Sequence, residues 1–323
     1  MSAVVRLYEP GDPENLRYEA ETVGEPGAGQ LRIRQEAIGV NFVDTYFRSG
    51  RFPLPVLPAV IGGEGAGIVD AVGPEVESIS VGDRVGYYFS LGAYAETRLL
   101  TAVDAIPLPH DLAAIEAASL LAKGLTAWGR LYRVHAVQPG DVILVTGATG
   151  GVGSLLATWA QHLGATVVTP VASAERVEAA QSLGLQHVVV AGTGQLAEAM
   201  ATIGGKADVV YDLVGRATFA EAVSALRDGG TLDLIGSASG DPEIDTTALA
   251  GRGIRITRSS TGEHLPDRAT LLRASADLFR AWHDGAFGKR LVRTYPLADA
   301  AQAHRDLENG IPEAATVLLP PTA

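Results

Sequence analysis

The sequence predicts an α/β protein in two parts: a doubly wound parallel sheet and a β-rich, partly open barrel. Three observations predict it. The apolar run Val142–Val145 leads into a glycine turn, residues 147–153, and then into Ser154–Leu163, whose apolar residues recur at helical spacing. Short apolar runs alternating with helical stretches continue to about residue 260, the pattern of a parallel sheet covered on both faces. Ahead of them, residues 1–122 carry short segments of period-two alternation separated by glycine corners.

The first strand and its turn carry the chemistry. A helix that begins at the carboxyl end of a parallel strand offers free backbone N–H groups and a positive dipole end to phosphate. The dinucleotide fingerprint reads Ala148-x-Gly150-x-x-Gly153, with alanine where a first glycine often sits, and Gly164 stands where a helix stops. Gly164 to Val171 then supplies a second strand at βαβ distance. Roughly 20 residues past the glycines, an NAD site places Asp or Glu against the ribose 2′-hydroxyl. Here that place holds Ala172 and Ser173, with Arg176 close behind, which suits a 2′-phosphate and favours NADPH over NADH.

Composition narrows the classes. A chain of 323 residues buries a sizeable core and is long enough for two domains. The net charge of −12, without a basic run, argues against nucleic acid and anionic membranes as partners. There is no cysteine, which excludes disulfides, thiolate catalysis and cysteine-held zinc. His110 and His135 lack partners at metal-ligand spacing, so no metal site is expected. Met1–Arg6 shows no apolar signal region, and no run of 18 apolar residues appears, so a cytoplasmic location is expected.

In chain order, Val4–Tyr8 and Leu31–Ile38 alternate as half-buried strands, with turn chemistry at Gly24–Gly29. Asn41–Gly50 reads as a helical turn facing a cleft. Pro53, Pro55 and Pro58 then rule out regular structure. Gly65–Gly73 and Val81–Val85 are strand and turn. Asp111–Leu121 and Ala122–Tyr132 read as two helices. The sheet strands are expected at Val142–Val145, Thr166–Thr169, His187–Val190, Val209–Leu213, Thr231–Ile235 and Ile254–Ile256. Helices at Gln195–Ile203 and Phe219–Leu226 lie between them, and a further one covers 266–284. Tyr295–Ala300 opens a short helix, and Thr316–Leu319 returns as a strand to the first part. The expected domains are 1–122 with 264–323, and 123–263, with the phosphate turn opening on a cleft between them, where a cofactor meets a second substrate.

Several stretches resemble one family. Ala37-Ile38-Gly39-Val40-Asn41-Phe42-Val43-Asp44-Thr45-Tyr46-Phe47-Arg48-Ser49-Gly50 is the most specific, joined by Ile61–Gly67, Val81–Val85, Lys123–Thr126, Ala148–Gly153 and Tyr211–Gly215. Together they resemble the zinc-free, zeta-crystallin-like NADPH:quinone oxidoreductases of the medium-chain dehydrogenase/reductase superfamily, over essentially the whole chain. The resemblance implies a Rossmann domain and a discontinuous GroES-like catalytic domain. Zinc-dependent relatives place cysteine at the position of Asn41 and histidine at that of Gly63. With both replaced, a metal-polarised mechanism is not expected, and the acceptor must itself be electrophilic.

The resemblance also implies roles. Asn41 and Thr126 position the nicotinamide; Gly150, Gly151 and Val152 hold the pyrophosphate through backbone groups; Ser173 and Arg176 take the 2′-phosphate. Val214, Gly236 and Ser237 sit at strand ends against ribose and nicotinamide. Tyr46 hydrogen-bonds a substrate oxygen, and Arg48 either contacts substrate or pairs with Asp44. Blander readings stand beside these: Asn41 as a cap for the turn at Phe42, Tyr46 as packing, Thr126 as a helix back-bonder. Asp212 reads as a strand-end carboxylate that fixes loops. Phe52 and Thr316 depart from the family, where a second pocket tyrosine and a lysine are common.

The expected activity is NADPH-dependent reduction of quinones or other conjugated carbonyls. Alternatives are reduction of an activated alkene, such as a haloacrylate or enoyl thioester, and a non-enzymatic NADPH-binding role. A homodimer is expected through the edge strand near Ile254–Ile256.

Overall fold

The computed structural model describes residues 1–310 and 315–321. The chain divides into two compact units, 1–122 with 290–323, and 123–289. In the first, β1 (Ser2–Leu7), β2 (Leu16–Glu21), β3 (Gln30–Val40), helix α1 (Phe42–Ser49) and β4 (Ala59–Val60) come first. β5 (Glu64–Val72), β6 (Arg84–Tyr88), β7 (Thr97–Thr101) and β8 (Ile106–Pro107) follow. Helix α2 (Ala114–Gly129) then runs on through the point where the second unit begins.

The second unit alternates strands and helices: β9 (Val142–Val145), α3 (Gly151–His162), β10 (Thr166–Val171), α4 (Ala174–Ser182), β11 (His187–Val190), α5 (Gln195–Thr202), β12 (Ala207–Asp212), α6 (Phe219–Ala225) and β13 (Leu226–Leu234). After it come α7 (Thr246–Gly251), β14 (Arg255–Thr257), α8 (Thr261–His264) and α9 (Arg268–His283). The chain returns to the first unit with β15 (Val292–Pro296), α10 (Ala300–Glu308) and β16 (Ala315–Leu319).

In the first unit, one sheet runs β15-β16-β3-β5-β6-β8, with β7 also paired to β3, and a smaller sheet runs β2-β1-β4. β3 is its spine. Register breaks between Arg32 and Ile33 and between Gln35 and Ala37 bend the strand. Leu31, Ile33, Ala37, Ile38 and Val40 are all buried along it, although strict alternation would turn some of them outward. Each of the Leu, Ile and Val side chains among them contributes about 1.5–3 kcal/mol by leaving water.

The second unit is a six-stranded sheet, β11-β10-β9-β12-β13-β14, and every pair in it is parallel. The strand order reverses between β9 and β12, the switch point where open α/β sheets bind ligands. Val142–Val145 and the five later runs become these six strands, which is the doubly wound sheet expected.

Three expectations of detail differ. The two helices expected around residue 121 are one, α2, closed by a π-helical turn at Arg130–Val134. Gly124 lies inside that helix, and it is glycine because a Cβ there would overlap Leu278 of α9. β13 begins at Leu226 rather than Thr231, because an irregularity opposite Ala207 and Val209 lets the strand pair earlier. Residues 264–289, expected with the first unit, belong to the second: Leu278 and Ala281 of α9 are buried, and Trp128 donates to Asp277 at 3.0 Å. Residues 311–314 and 322–323, within the expected 264–323 segment, lie outside the described residues.

Candidate functional site

The glycine turn after β9 is shaped for an anion. Gly147 takes a left-handed conformation, φ 70°, and its carbonyl accepts from Gly150 N at 3.0 Å. A Cβ at Gly153 would overlap that same carbonyl, so only glycine lets α3 start so close to the strand. Gly150 is the residue before α3; no side chain caps the helix, and its first turn holds no acid. The N–H groups of Gly151, Val152 and Gly153 thus have no side-chain acceptor, at the positive end of the dipole. Gly150 and Gly151 are exposed. Lys123, itself buried, lies along Gly151, with its Cδ and Cε 3.2 Å from where a Cβ would be.

Arg176, on α4, is drawn to this turn. Its Nη1 donates to Thr149 Oγ1 at 3.0 Å, across 27 positions of sequence. Ser173 is the residue before α4, and its hydroxyl is the main influence that holds the exposed Glu175 carboxyl below the usual carboxylate range.

The neighbouring strand ends are gathered by one carboxylate. Asp212, fully buried at the end of β12, accepts from Thr146 Oγ1 at 2.6 Å, Gly215 N at 3.1 Å and Val214 N at 3.2 Å. This is the loop-fixing role expected of it, not that of a base. Val214 consequently lies beside Gly147, with its Cγ2 3.3 Å from where a Gly147 Cβ would be. Gly236 donates to the Asp212 carbonyl at 3.2 Å, and Ser237 accepts from Gly240 N at 2.9 Å. Thr126 shares a hydrogen bond of 3.0 Å with Thr261.

The acceptor-side residues belong to the first unit. Asn41 follows β3 and occupies the cap position of α1, where the Asp44 carboxylate accepts from its N–H at 2.8 Å. Its side chain does more than cap: Nδ2 donates to Glu64 Oε2 at 2.8 Å. Glu64 is completely buried, and its other oxygen accepts from Ala122 N at 2.7 Å. Gly39 has no side chain because one would overlap Glu64 and the Ala118 carbonyl. Tyr46 is half-buried on α1, packed edge-on between Phe42 at 5.5 Å and Phe52 at 5.2 Å, and its hydroxyl makes no hydrogen bond to another described residue. Phe52, in place of a second tyrosine, makes that flank apolar.

Arg48 corrects an expectation. It is buried on α1 and pairs with Glu308 of α10 rather than with Asp44. α1 has a 3.6-residue repeat, which turns position 48 away from position 46. Glu64, Lys123 and Thr149 lie within the motif stretches Ile61–Gly67, Lys123–Thr126 and Ala148–Gly153 but were given no role there. Lys123 also carried a local signal, a lone cation in an otherwise apolar helical stretch.

A six-stranded parallel sheet with this turn, together with a β-rich unit interrupted by it, defines a medium-chain dehydrogenase/reductase. The family model of the alcohol dehydrogenase GroES-like domain matches residues 27–110, and that of the zinc-binding dehydrogenases matches 151–277. The chain is 40% identical to the 2-haloacrylate reductase of a Burkholderia species, covering 99% of each chain. It is 37% identical to the quinone oxidoreductase of Pseudomonas aeruginosa, covering 99% of this chain and all of that one. The crystal structure of Escherichia coli quinone oxidoreductase complexed with NADPH superposes with a TM-score of 0.92 at 34% identity, over 98% of this chain and all of that one. The chain belongs to the quinone oxidoreductase family of that superfamily.

Proposed function

We propose that the protein is an NADPH-dependent reductase of quinones or other conjugated carbonyl acceptors. The observation that carries this reading is the uncapped start of α3 at the glycine turn, with Arg176 brought onto Thr149 beside it. Bound NADPH supplies hydride from nicotinamide C4. The backbone of Gly150, Gly151 and Val152 binds the pyrophosphate. Arg176 grips the 2′-phosphate with its planar fork, and the Ser173 hydroxyl donates to the same phosphate. Thr126 and Asn41 orient the nicotinamide, and Val214, Gly236 and Ser237 border the ribose. The Asn41–Glu64 bond fixes the Asn41 amide before any ligand arrives, so its orientation costs nothing on binding. Tyr46 offers its hydroxyl to the acceptor oxygen as negative charge gathers there.

A second reading, reduction of an activated alkene such as a haloacrylate or enoyl thioester, is favoured by the 40% identity to a 2-haloacrylate reductase. The two-domain division and site roles given above belong to the same proposal. So do a cytoplasmic location and a homodimer formed through β14, which ends the six-stranded sheet with one edge paired to no other described strand. Steady-state turnover with NADPH and NADH on a panel of quinones, enones and haloacrylates tests the function. NADPH oxidation by at least one acceptor class is expected. NADPH binding without turnover on any of them overturns the enzyme reading in favour of a non-enzymatic NADPH-binding protein.

A further inference from the structure

We propose that Arg51 selects conjugated acceptors that carry a carboxylate, by holding that group beside Tyr46. The inference rests on the acceptor lying at Tyr46, as proposed above, and names the substrate class for that same site. Arg51 is exposed, yet it is not a loosely placed surface cation. Its guanidinium carbon lies over the Tyr46 ring, 4.2 Å from the centroid. The backbone on either side is anchored: Gly50 closes α1 in the left-handed conformation, φ 81°, and Phe52 N donates to the Tyr46 carbonyl at 3.0 Å. The Phe52 ring packs on Tyr46 and, at 5.8 Å, on Phe47.

Charge accounting on α1 singles the residue out. Asp44 accepts from Asn41 N and from Tyr94, and Arg48 pairs with Glu308. Arg51 makes no hydrogen bond or ion pair with any described residue, in a chain whose net charge is −12. Guanidinium N–H groups lie in the plane of the group, so a cation resting on a ring still has hydrogens to give. Their fork geometry matches a carboxylate, which accepts two parallel bonds. A neutral quinone offers no such partner. The aromatic flank of Phe42, Tyr46 and Phe52 takes the flat conjugated part of either acceptor, so Arg51 adds discrimination on charge.

The test compares kcat/KM, with NADPH, for 2-chloroacrylate and its neutral analogue 2-chloroacrylamide, with 1,4-naphthoquinone as a further neutral acceptor. The acid-to-amide ratio is expected to fall about tenfold in Arg51→Ala and further in Arg51→Glu, mostly through KM, with Arg51→Lys recovering part of it. Raising salt to about 0.5 M should lower the ratio for the wild type and leave that of Arg51→Ala unmoved. A ratio unchanged across the variants overturns the role of Arg51, as does a wild type that reduces naphthoquinone but prefers the amide. A wild type that reduces none of the three acceptors instead overturns the acceptor reading on which the proposal rests.

Discussion

Arg176 and Tyr46 sit at the two ends of the proposed chemistry, and each is testable by one substitution. Arg176→Ala should raise KM for NADPH at least tenfold while moving KM for NADH little, since only the former carries the 2′-phosphate that the guanidinium would face. Equal effects in a two-cofactor kinetic comparison would reassign Arg176 to holding Thr149 alone. Tyr46→Phe keeps the ring between Phe42 and Phe52 and removes only the hydroxyl. Enone reduction should fall about tenfold or more, measured as kcat at saturating NADPH; unchanged turnover would make the tyrosine a packing residue. The glycine turn and the helical turn after Asn41 were legible in sequence because they follow from local backbone geometry. The partner of Arg48 was not, because Glu308 lies 260 positions away and nothing local points to it. The same holds for Glu64 beneath Asn41.

At the scale of an element, α1 is held from behind by a buried polar chain. Tyr94 donates to Asp44 Oδ2 at 3.2 Å and therefore accepts the Nε2 proton of His304, on α10, at 2.8 Å. Burial, with Arg48 nearby, pushes His304 from its ordinary 6.5 down to about 3. Burial and Asp44 together push the Tyr94 phenol well above 10. Between pH 6.5 and 3 the unfolded chain takes up a proton that the native His304 refuses, so this group weakens the fold as pH drops through that window. His304→Gln, neutral at every pH, should flatten that loss, at a cost of about 1 kcal/mol near neutrality for the bond to Tyr94. Urea midpoints from pH 4 to 7 for both proteins measure this; parallel curves would show that His304 is not the group responsible. Strands buried on both faces read clearly in the sequence, since a continuous apolar run has few other uses. The merging of two expected helices into α2 did not, because nothing local to Leu121 and Ala122 tells one helix from two.

For the whole molecule, no helix among the described residues is long and apolar enough to cross a membrane. The proposed dimer through β14 predicts a mass twice the 33.5 kDa of the chain in light scattering at micromolar protein. A charge in the middle of that strand, Ile256→Lys, should shift the mass toward one chain; a monomer in the unmodified protein would dispose of the dimer. The doubly wound order of the sheet was legible from alternation alone, whereas the point of return to the first unit was not. Residues 264–289 look the same in sequence whichever core their apolar face meets.

The pairing of β16 with β3 has a consequence for how the chain is made on the ribosome. Residues 38–40 emerge ahead of the second unit, but their hydrogen-bonding neighbours, residues 316–318, follow only after the whole of that unit has been translated. The second unit, whose residues are contiguous from 123 to 289, has all of its strands available long before then. A chain cut short ahead of residue 315 keeps every strand of the six-stranded sheet and strips residues 38–40 of β3 of their β16 neighbour, an opening for aggregation in one half of the protein only.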